Sequence, residues 1–334
     1  MITVENLSKS FPGRKGSVLA LDKVTVEVPA GTVCGVIGTG GAGKSTLARC
    51  VALQERPDAG VIRLDGLDTS VMDTRGLRAA RRMIGVVDTA EPLVGLRTVA
   101  GNIALPLEIA GVDGPTRRTK VGRLLDLAGL VEKASANIKE LSAGQRLRVA
   151  VARALVGEPA VVLADDPTAG LDADAHSATL TVLDRARAEM GVTVLLTTTD
   201  AAVARRICDD VAILDHGRIL DHRSLLDAVL DPGSRVANLI LPSLGEATKT
   251  GFDRVAEVVL VGFAAVGALL PEAGTRFGVD IGVTGGGLTR IGETPVARFR
   301  IGLRGERADG ALAWIADRGG VIHQVPAGPQ GVAA

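Results

Sequence analysis

The stretch Gly38-Thr39-Gly40-Gly41-Ala42-Gly43-Lys44-Ser45-Thr46 constrains this chain more than any other. From Gly38 to Ser45 it fits the G-x-x-x-x-G-K-[ST] phosphate-binding loop. Its flanks agree. Thr32 to Ile37 is a short apolar, β-branched run that reads as a buried strand, and the run from Lys44 through Leu47, Val51 and Leu53 can open a helix. A loop between strand and helix aims successive backbone N–H groups at one point, where the helix N-terminus adds a partial positive charge. Glycines let the backbone approach phosphate oxygens with no Cβ in the way. Lys44 is expected to pair with β- and γ-phosphates, and the Ser45 hydroxyl to hold Mg²⁺.

The rest of the composition narrows the class. A length of 334 residues suggests two domains, at roughly 150 residues each. Net charge is zero and aromatics are 2% with no Tyr, so neither an electrostatic footprint nor a stacking platform for nucleic acid is expected. Cys34, Cys50 and Cys208 form no C-x-x-C pair, which suggests a reduced cytosolic compartment with each thiol packed as a small apolar group. The opening MITVENLSKSF has no apolar core followed by a cleavage site, so no signal peptide is expected. The longest apolar run, Val258 to Leu270, is shorter than the ~20 residues a membrane span needs. His176, His216, His222 and His323 show no metal-ligand spacing.

Strand-like alternation marks Ile2 to Val4 and Val24 to Val28, with Phe11 between them beside Pro12-Gly13. From spacing alone Phe11 reads as a packing residue. Val61 to Gly66 reads as a strand ending in a turn, Arg78 to Arg82 as a basic helical stretch, and Ile84 to Val87 as another strand. Thr98 to Ala128 is helical, with Pro106 and the segment from Gly111 to Pro115 expected to break it. Leu141-Ser142-Ala143-Gly144-Gln145 then precedes a helix from Arg146 to Leu155. Val161 to Asp166 is a strand ending in two carboxylates, placed as a carboxylate beside a phosphate loop must be to hold the water shell of Mg²⁺. Thr193 to Thr197 is a buried strand, and His216-Gly217 the tip of a closing hairpin.

After Asp231-Pro232-Gly233 a short helix is expected from Ser234 to Leu241, then a linker from Pro242 to Gly251. Strand runs at Val255 to Val261, Gly278 to Val283, Ala297 to Leu303 and Val321 to Val325 alternate with helical runs at Ala265 to Arg276 and Ala308 to Asp317. The order βαββαβ suggests a ferredoxin-like sandwich. Its core is expected to bury Val259, Val261, Leu269, Leu303 and Trp314. Gly285-Gly286-Gly287 reads as a turn between strands, and Arg81-Arg82 and Arg117-Arg118 as solvated faces.

The phosphate loop, Leu141 to Gln145, the strand-borne Asp165 and Leu171-Asp172, in that order, resemble the ATP-binding subunit of an ABC transporter. The tail narrows the resemblance to methionine-importer ATPases with a ferredoxin-like regulatory domain. Arg97-Thr98-Val99, Asn102 to Glu108 and Ala273 to Val279 agree with it. The fold this implies is an α/β P-loop NTPase domain with an antiparallel β subdomain and a helical insertion over residues 1–241. A linker at 242–251 and an α+β ferredoxin-like domain at 252–328 complete it. The resemblance implies ATP and Mg²⁺ as ligands, with Phe11 stacking on adenine and residues 38 to 46 holding the phosphates. Ser45 and Asp165 would serve the metal. Ser142, Gly144 and Gln145 would contact the γ-phosphate bound to a second ATPase subunit, identical or not, and Asp172 would lie at the dimer seam. Integral membrane permease subunits, a substrate-binding protein acting indirectly, and methionine bound by the tail are the other implied partners. The implied place is the cytoplasmic face of the cell membrane, as a peripheral subunit.

Three departures from that family bear on chemistry. Asp166 stands where a Glu general base is usual, Thr89 where a Gln is usual, and Thr199 where a His is usual; Ala143 also replaces a Gly in the signature. Asp is one methylene shorter than Glu, so its carboxylate retreats by roughly 1.5 Å. A base misplaced by that much can cost about 10²-fold. Thr199 cannot supply a ring nitrogen. Nucleotide binding is expected to survive and hydrolysis to be slow, unless local shifts or water compensate. The alternative is a largely non-hydrolytic subunit that completes a partner's site. A soluble ABC protein acting on nucleic acid is a weaker one, disfavoured by the neutral charge.

Overall fold

The computed structural model describes residues 2–13, 16–88, 93–245 and 251–324. The chain divides between Arg223 and Ser224 into two compact units. In the first, the alternation read at the N-terminus extends into a long ribbon, β1 (Ile2–Gly13) and β2 (Gly16–Val28). Its inward residues Ile2, Val4, Val24, Val26 and Val28 are buried. Next come β3 (Val33–Ile37), α1 (Lys44–Val51), β4 (Ala59–Leu64), β5 (Leu67–Asp68), α2 (Thr74–Arg82) and β6 (Ile84–Asp88). The insertion follows as α3 (Val99–Ile109) and α4 (Gly114–Leu127), then α5 (Ala143–Leu155) and β7 (Val161–Asp165). The unit ends with α6 (Ala173–Met190), β8 (Thr193–Thr198), α7 (Ala201–Ile207), β9 (Asp210–Asp215) and β10 (Arg218–Ser224).

Two sheets result. An antiparallel sheet has the order β2-β1-β4-β5, and a six-stranded sheet the order β10-β9-β3-β8-β7-β6. β6, β7, β8, β3 and β9 pair in parallel, and every residue of β3 and β8 is buried. Both faces of a parallel sheet are covered, so its strands read as apolar runs rather than alternations. Parallel pairing also places the C-terminal ends of β3, β8 and β7 along one edge, where the phosphate loop begins and Asp165 lies.

One expected break is absent. Pro106 lies inside α3, and the Ala110 N–H bonds to its carbonyl at 3.0 Å. A proline removes one helical donor and crowds the preceding turn. Here Ile103 and Leu107, both buried, hold the helix against its neighbours. The true interruption is Gly111, at φ 73°, after which Asp113 caps α4 by accepting from Thr116 N–H at 3.0 Å.

The second unit begins with α8 (Leu225–Leu230) and α9 (Arg235–Ile240). It continues with β11 (Arg254–Val261), α10 (Phe263–Val266), α11 (Leu269–Phe277), β12 (Asp280–Ile291), β13 (Thr294–Arg304), α12 (Ala308–Ala316) and β14 (Val321–Gln324). The sheet order is β12-β13-β11-β14 with every pairing antiparallel, which is the βαββαβ ferredoxin-like topology. The single helix expected at Ala265 to Arg276 is instead α10 and α11, separated at the extended Gly267.

The face of β11 that meets the helices differs from expectation by one residue. Ala256, Val258 and Leu260 join Leu269, Ala273, Ala297, Ile301, Leu303, Leu312 and Ile315 in the core. Val259 is buried on the opposite face, while Val261 and Trp314 are only half-buried. That opposite face is covered by chain segments flanking the sheet. Gly285-Gly286-Gly287 is not a turn but part of β12, beside a register shift between Val283 and Gly285. A Cβ on Gly285 would stand 2.2 Å from the Leu244 carbonyl oxygen, so the glycines form a notch in which residues 242–245 lie. Beside the notch, Arg298 donates to Glu257 Oε1 (2.6 Å), to Asn238 Oδ1 (3.0 Å) and to the Pro232 carbonyl (3.3 Å).

Candidate functional site

The phosphate loop runs from the end of β3 into α1, and packing explains its two outer glycines. A Cβ on Gly38 would stand 2.2 Å from the Leu214 carbonyl oxygen. One on Gly43, at φ 107°, would stand 2.4 Å from that of Ala20. Gly40 and Gly41 have nothing within 4 Å of such an atom; with Thr39 and Ser45 they form the exposed rim, while Ala42, Lys44 and Thr46 are buried beneath it. Lys44 Nζ donates to the carbonyls of Gly38 (2.8 Å) and Thr39 (3.0 Å). An ammonium has three donors, so one remains for an anion. The rim thus presents main-chain amides, a hydroxyl and a fixed cation.

β8 links this loop to the carboxylates. Its Thr198 carbonyl accepts from Gly38 N–H at 3.3 Å, and its Thr197 carbonyl from Asp166 N–H at 3.1 Å. Asp165, the last residue of β7, sits in register with Thr197. Asp166 follows it in the left-handed region at φ 45°, a strained conformation for a residue other than glycine. Burial pushes the Asp166 carboxyl upward from its ordinary value. Asp165 and Asp200 add to that push, and Lys44 and the Thr198 hydroxyl oppose it.

The donor set suits Mg²⁺. That ion keeps several waters and takes one or two protein oxygens beside phosphate. The Ser45 hydroxyl and the Asp165 carboxylate are the oxygens on offer. Among the described residues no cluster of three or more His, Cys, Asp or Glu forms a cage for another metal.

The signature residues gather elsewhere in the first unit, at two helix N-termini. Ser142 caps α5, accepting from Gln145 N–H (3.2 Å) while Gln145 Oε1 accepts from Ser142 N–H (2.9 Å). Gly144 meets α6: a Cβ there would stand 2.5 Å from that of Ala175. Asp172 caps α6 through the Ala175 N–H at 2.8 Å. Phe11 is half-buried in β1 opposite Val18, with Lys9 Nζ 5.3 Å from its ring centroid. Thr199 is exposed in the bend after β8. Thr89 lies outside the described residues.

The site also contains residues that sequence reasoning did not assign. Thr197 and Thr198 touch Asp165 and Asp166, and Asp200 caps α7 through the Ala202 N–H at 2.7 Å. The clue was the run Thr197-Thr198-Thr199-Asp200 at the end of a buried strand. The cysteines stand apart from this chemistry. All three are buried, and burial pushes the Cys50 thiol up to about 11 and those of Cys34 and Cys208 upward too. A cavity of about 410 Å³ opens between α4, α5 and α6, away from the loop. Its Arg148 and Arg185 already donate to the carbonyls of Ala128 (2.7 Å) and Leu127 (3.1 Å) at the end of α4.

Comparison with known proteins agrees on both units. The family model described as ABC transporter matches residues 21–169, and that described as NIL domain matches residues 254–323. The "Methionine import ATP-binding protein MetN" of Thermobifida fusca is 39% identical over 331 residues, which cover 98% of this chain and all of that protein. Its namesake in Streptomyces griseus is 40% identical over 91% of this chain and 87% of that protein. Among solved structures, a dimeric ATP-binding cassette in a post-hydrolysis state with ADP and Pi superposes with a TM-score of 0.62. It is 30% identical and covers 67% of this chain and 99% of its own.

Proposed function

The chain belongs to the methionine import ATP-binding proteins of the ABC transporter family, and from that premise we propose how its residues divide the work. It is the ATP-binding, energy-coupling subunit of a methionine importer. The observation that carries this reading is the match to a methionine import protein through both units, end to end. Among the described residues no helix is long and apolar enough to cross a membrane. We assign the translocation path to separate permease subunits, as the family resemblance implies. This chain is peripheral to them, at the cytoplasmic face, and the second unit senses methionine.

In the nucleotide site, the amides of residues 39 to 46 and the free Lys44 donor bind the phosphates, and Phe11 stacks on the adenine. Ser45 and Asp165 hold Mg²⁺, which when bound neutralises charge on the β- and γ-phosphate oxygens. A second ATPase subunit contributes Ser142, Gly144 and Gln145, with Asp172 at the seam.

Asp166 is the general base. Its shorter side chain and the exposed hydroxyl of Thr199 support a weakened hydrolysis; Thr89 is a third departure of the same kind. The test is ATP turnover of the full chain with its permease subunits. Asp166→Glu is expected to raise the rate, and Asp166→Ala to abolish what remains. An Asp166→Ala protein with unchanged turnover would remove the base. The same three positions favour a second reading, in which this chain completes the site of a more active partner subunit. Co-purification separates the two, because a strict homodimer that supports uptake excludes it.

A further inference from the structure

Each carboxylate at the end of β7 has a threonine opposite it on β8. Asp165 pairs with Thr197 in the parallel register. The Thr197 hydroxyl donates to Asp165 Oδ1 at 2.5 Å and accepts from Asp166 N–H at 3.1 Å. Thr197 is 1% exposed, so water does not compete for that hydroxyl. A hydroxyl has one proton to give. With the Asp166 N–H on its oxygen, that proton is directed at Asp165 Oδ1.

We infer that Thr197 is a positioning residue for the metal-holding carboxylate. It acts through Asp165 and touches neither nucleotide nor metal. The inference rests on the proposed role of Asp165 in holding Mg²⁺. Hydrogen-bond partners of this outer kind commonly govern metal affinity by about 10- to 100-fold. The same contact couples the two carboxylates. The hydroxyl that fixes the Asp165 rotamer also helps keep Asp166 in its left-handed backbone, beside the Thr197 carbonyl that shares the Asp166 N–H.

The test uses the full chain saturated with a non-hydrolysable ATP analogue, with Mn²⁺ binding read by electron paramagnetic resonance and Mg²⁺ by its displacement of Mn²⁺. Thr197→Val keeps the branched shape and loses the hydroxyl; Asp166 N–H retains the carbonyl. Metal affinity is expected to fall about 10-fold or more, with analogue affinity in EDTA unchanged. Thr197→Ser is expected to restore it. Thr197→Ala serves if the valine variant does not fold. Asp165→Asn separates the two levels of the reading. If it leaves metal affinity intact, the assignment of Asp165 fails. If it abolishes metal binding while Thr197→Val and Thr197→Ala match the unaltered chain, the role of Thr197 is overturned.

Discussion

Arg298→Leu is expected to destabilise the second unit selectively. Arg298 and Glu257 form an ion pair whose side chains are only 7% and 14% exposed, and Arg298 also holds Asn238 and the Pro232 carbonyl. Removing one partner of a buried pair strands the other charge and costs about 3–5 kcal/mol. Glu257 keeps slightly more access to water, so about 3 kcal/mol is the appropriate end of that range. At a denaturant slope of about 1.5 kcal/mol per molar urea, the midpoint should fall by about 2 M. The readout is built in. Trp314 is the only tryptophan of the chain and lies in this unit, edge-on to Phe277 at 6.4 Å and 3.9 Å from the Arg318 guanidinium. Urea unfolding followed by Trp fluorescence therefore reports the second unit. Replacing both partners by Leu should be less harmful than the single change by at least about 1 kcal/mol, because no buried charge is left unpaired. A shift below about 0.5 M for Arg298→Leu, or a double variant equal to the sum of the singles, would refute the reasoning.

Two further outcomes are expected in the first unit. Gly38→Ala drives a Cβ to 2.2 Å from the Leu214 carbonyl oxygen, so binding of a fluorescent ATP analogue should fall by at least about 10-fold and the thermal midpoint should drop. Gly40→Ala, with open space around it, should leave the midpoint unchanged. For Asp166 the folded-state value is raised, so its contribution to stability is fully present below the unfolded value and lost as pH rises through the folded one. Asp166→Asn should accordingly stabilise the chain more at pH 8 than at pH 4 in thermal melts.

Local signals carried part of the fold. The long α6, capped by Asp172, was not anticipated. The helices expected after Ser142 and from Ser234 are present, and each of these serines caps its helix, because a side-chain oxygen there satisfies an otherwise unpaired N–H. The phosphate loop was legible for a similar reason, its chemistry being contained in nine consecutive residues. What was not legible depends on contacts between distant segments. Nearly every residue from Val255 to Val261 is apolar because β11 is covered on both faces, so alternation could not say that Val258 rather than Val259 meets the helices. A strand misread by one residue exchanges its two faces. The Gly285-Gly286-Gly287 run looks like a turn until Leu244 is seen lying across it. The Asp165–Thr197 contact joins residues 32 positions apart, and requires knowing that β7 and β8 are neighbours.

The glycine notch in β12 has a consequence for access to the sheet of the second unit. Its central strands, β11 and β13, are walled in by α11 and α12 on one side, and on the other by residues that include Pro232, Asn238, Leu244 and Phe252. Among the described residues the edge strands of the sheet are β12 and β14. A molecule that reached the face of the sheet at the glycines would have to displace residues 242–245 from the notch.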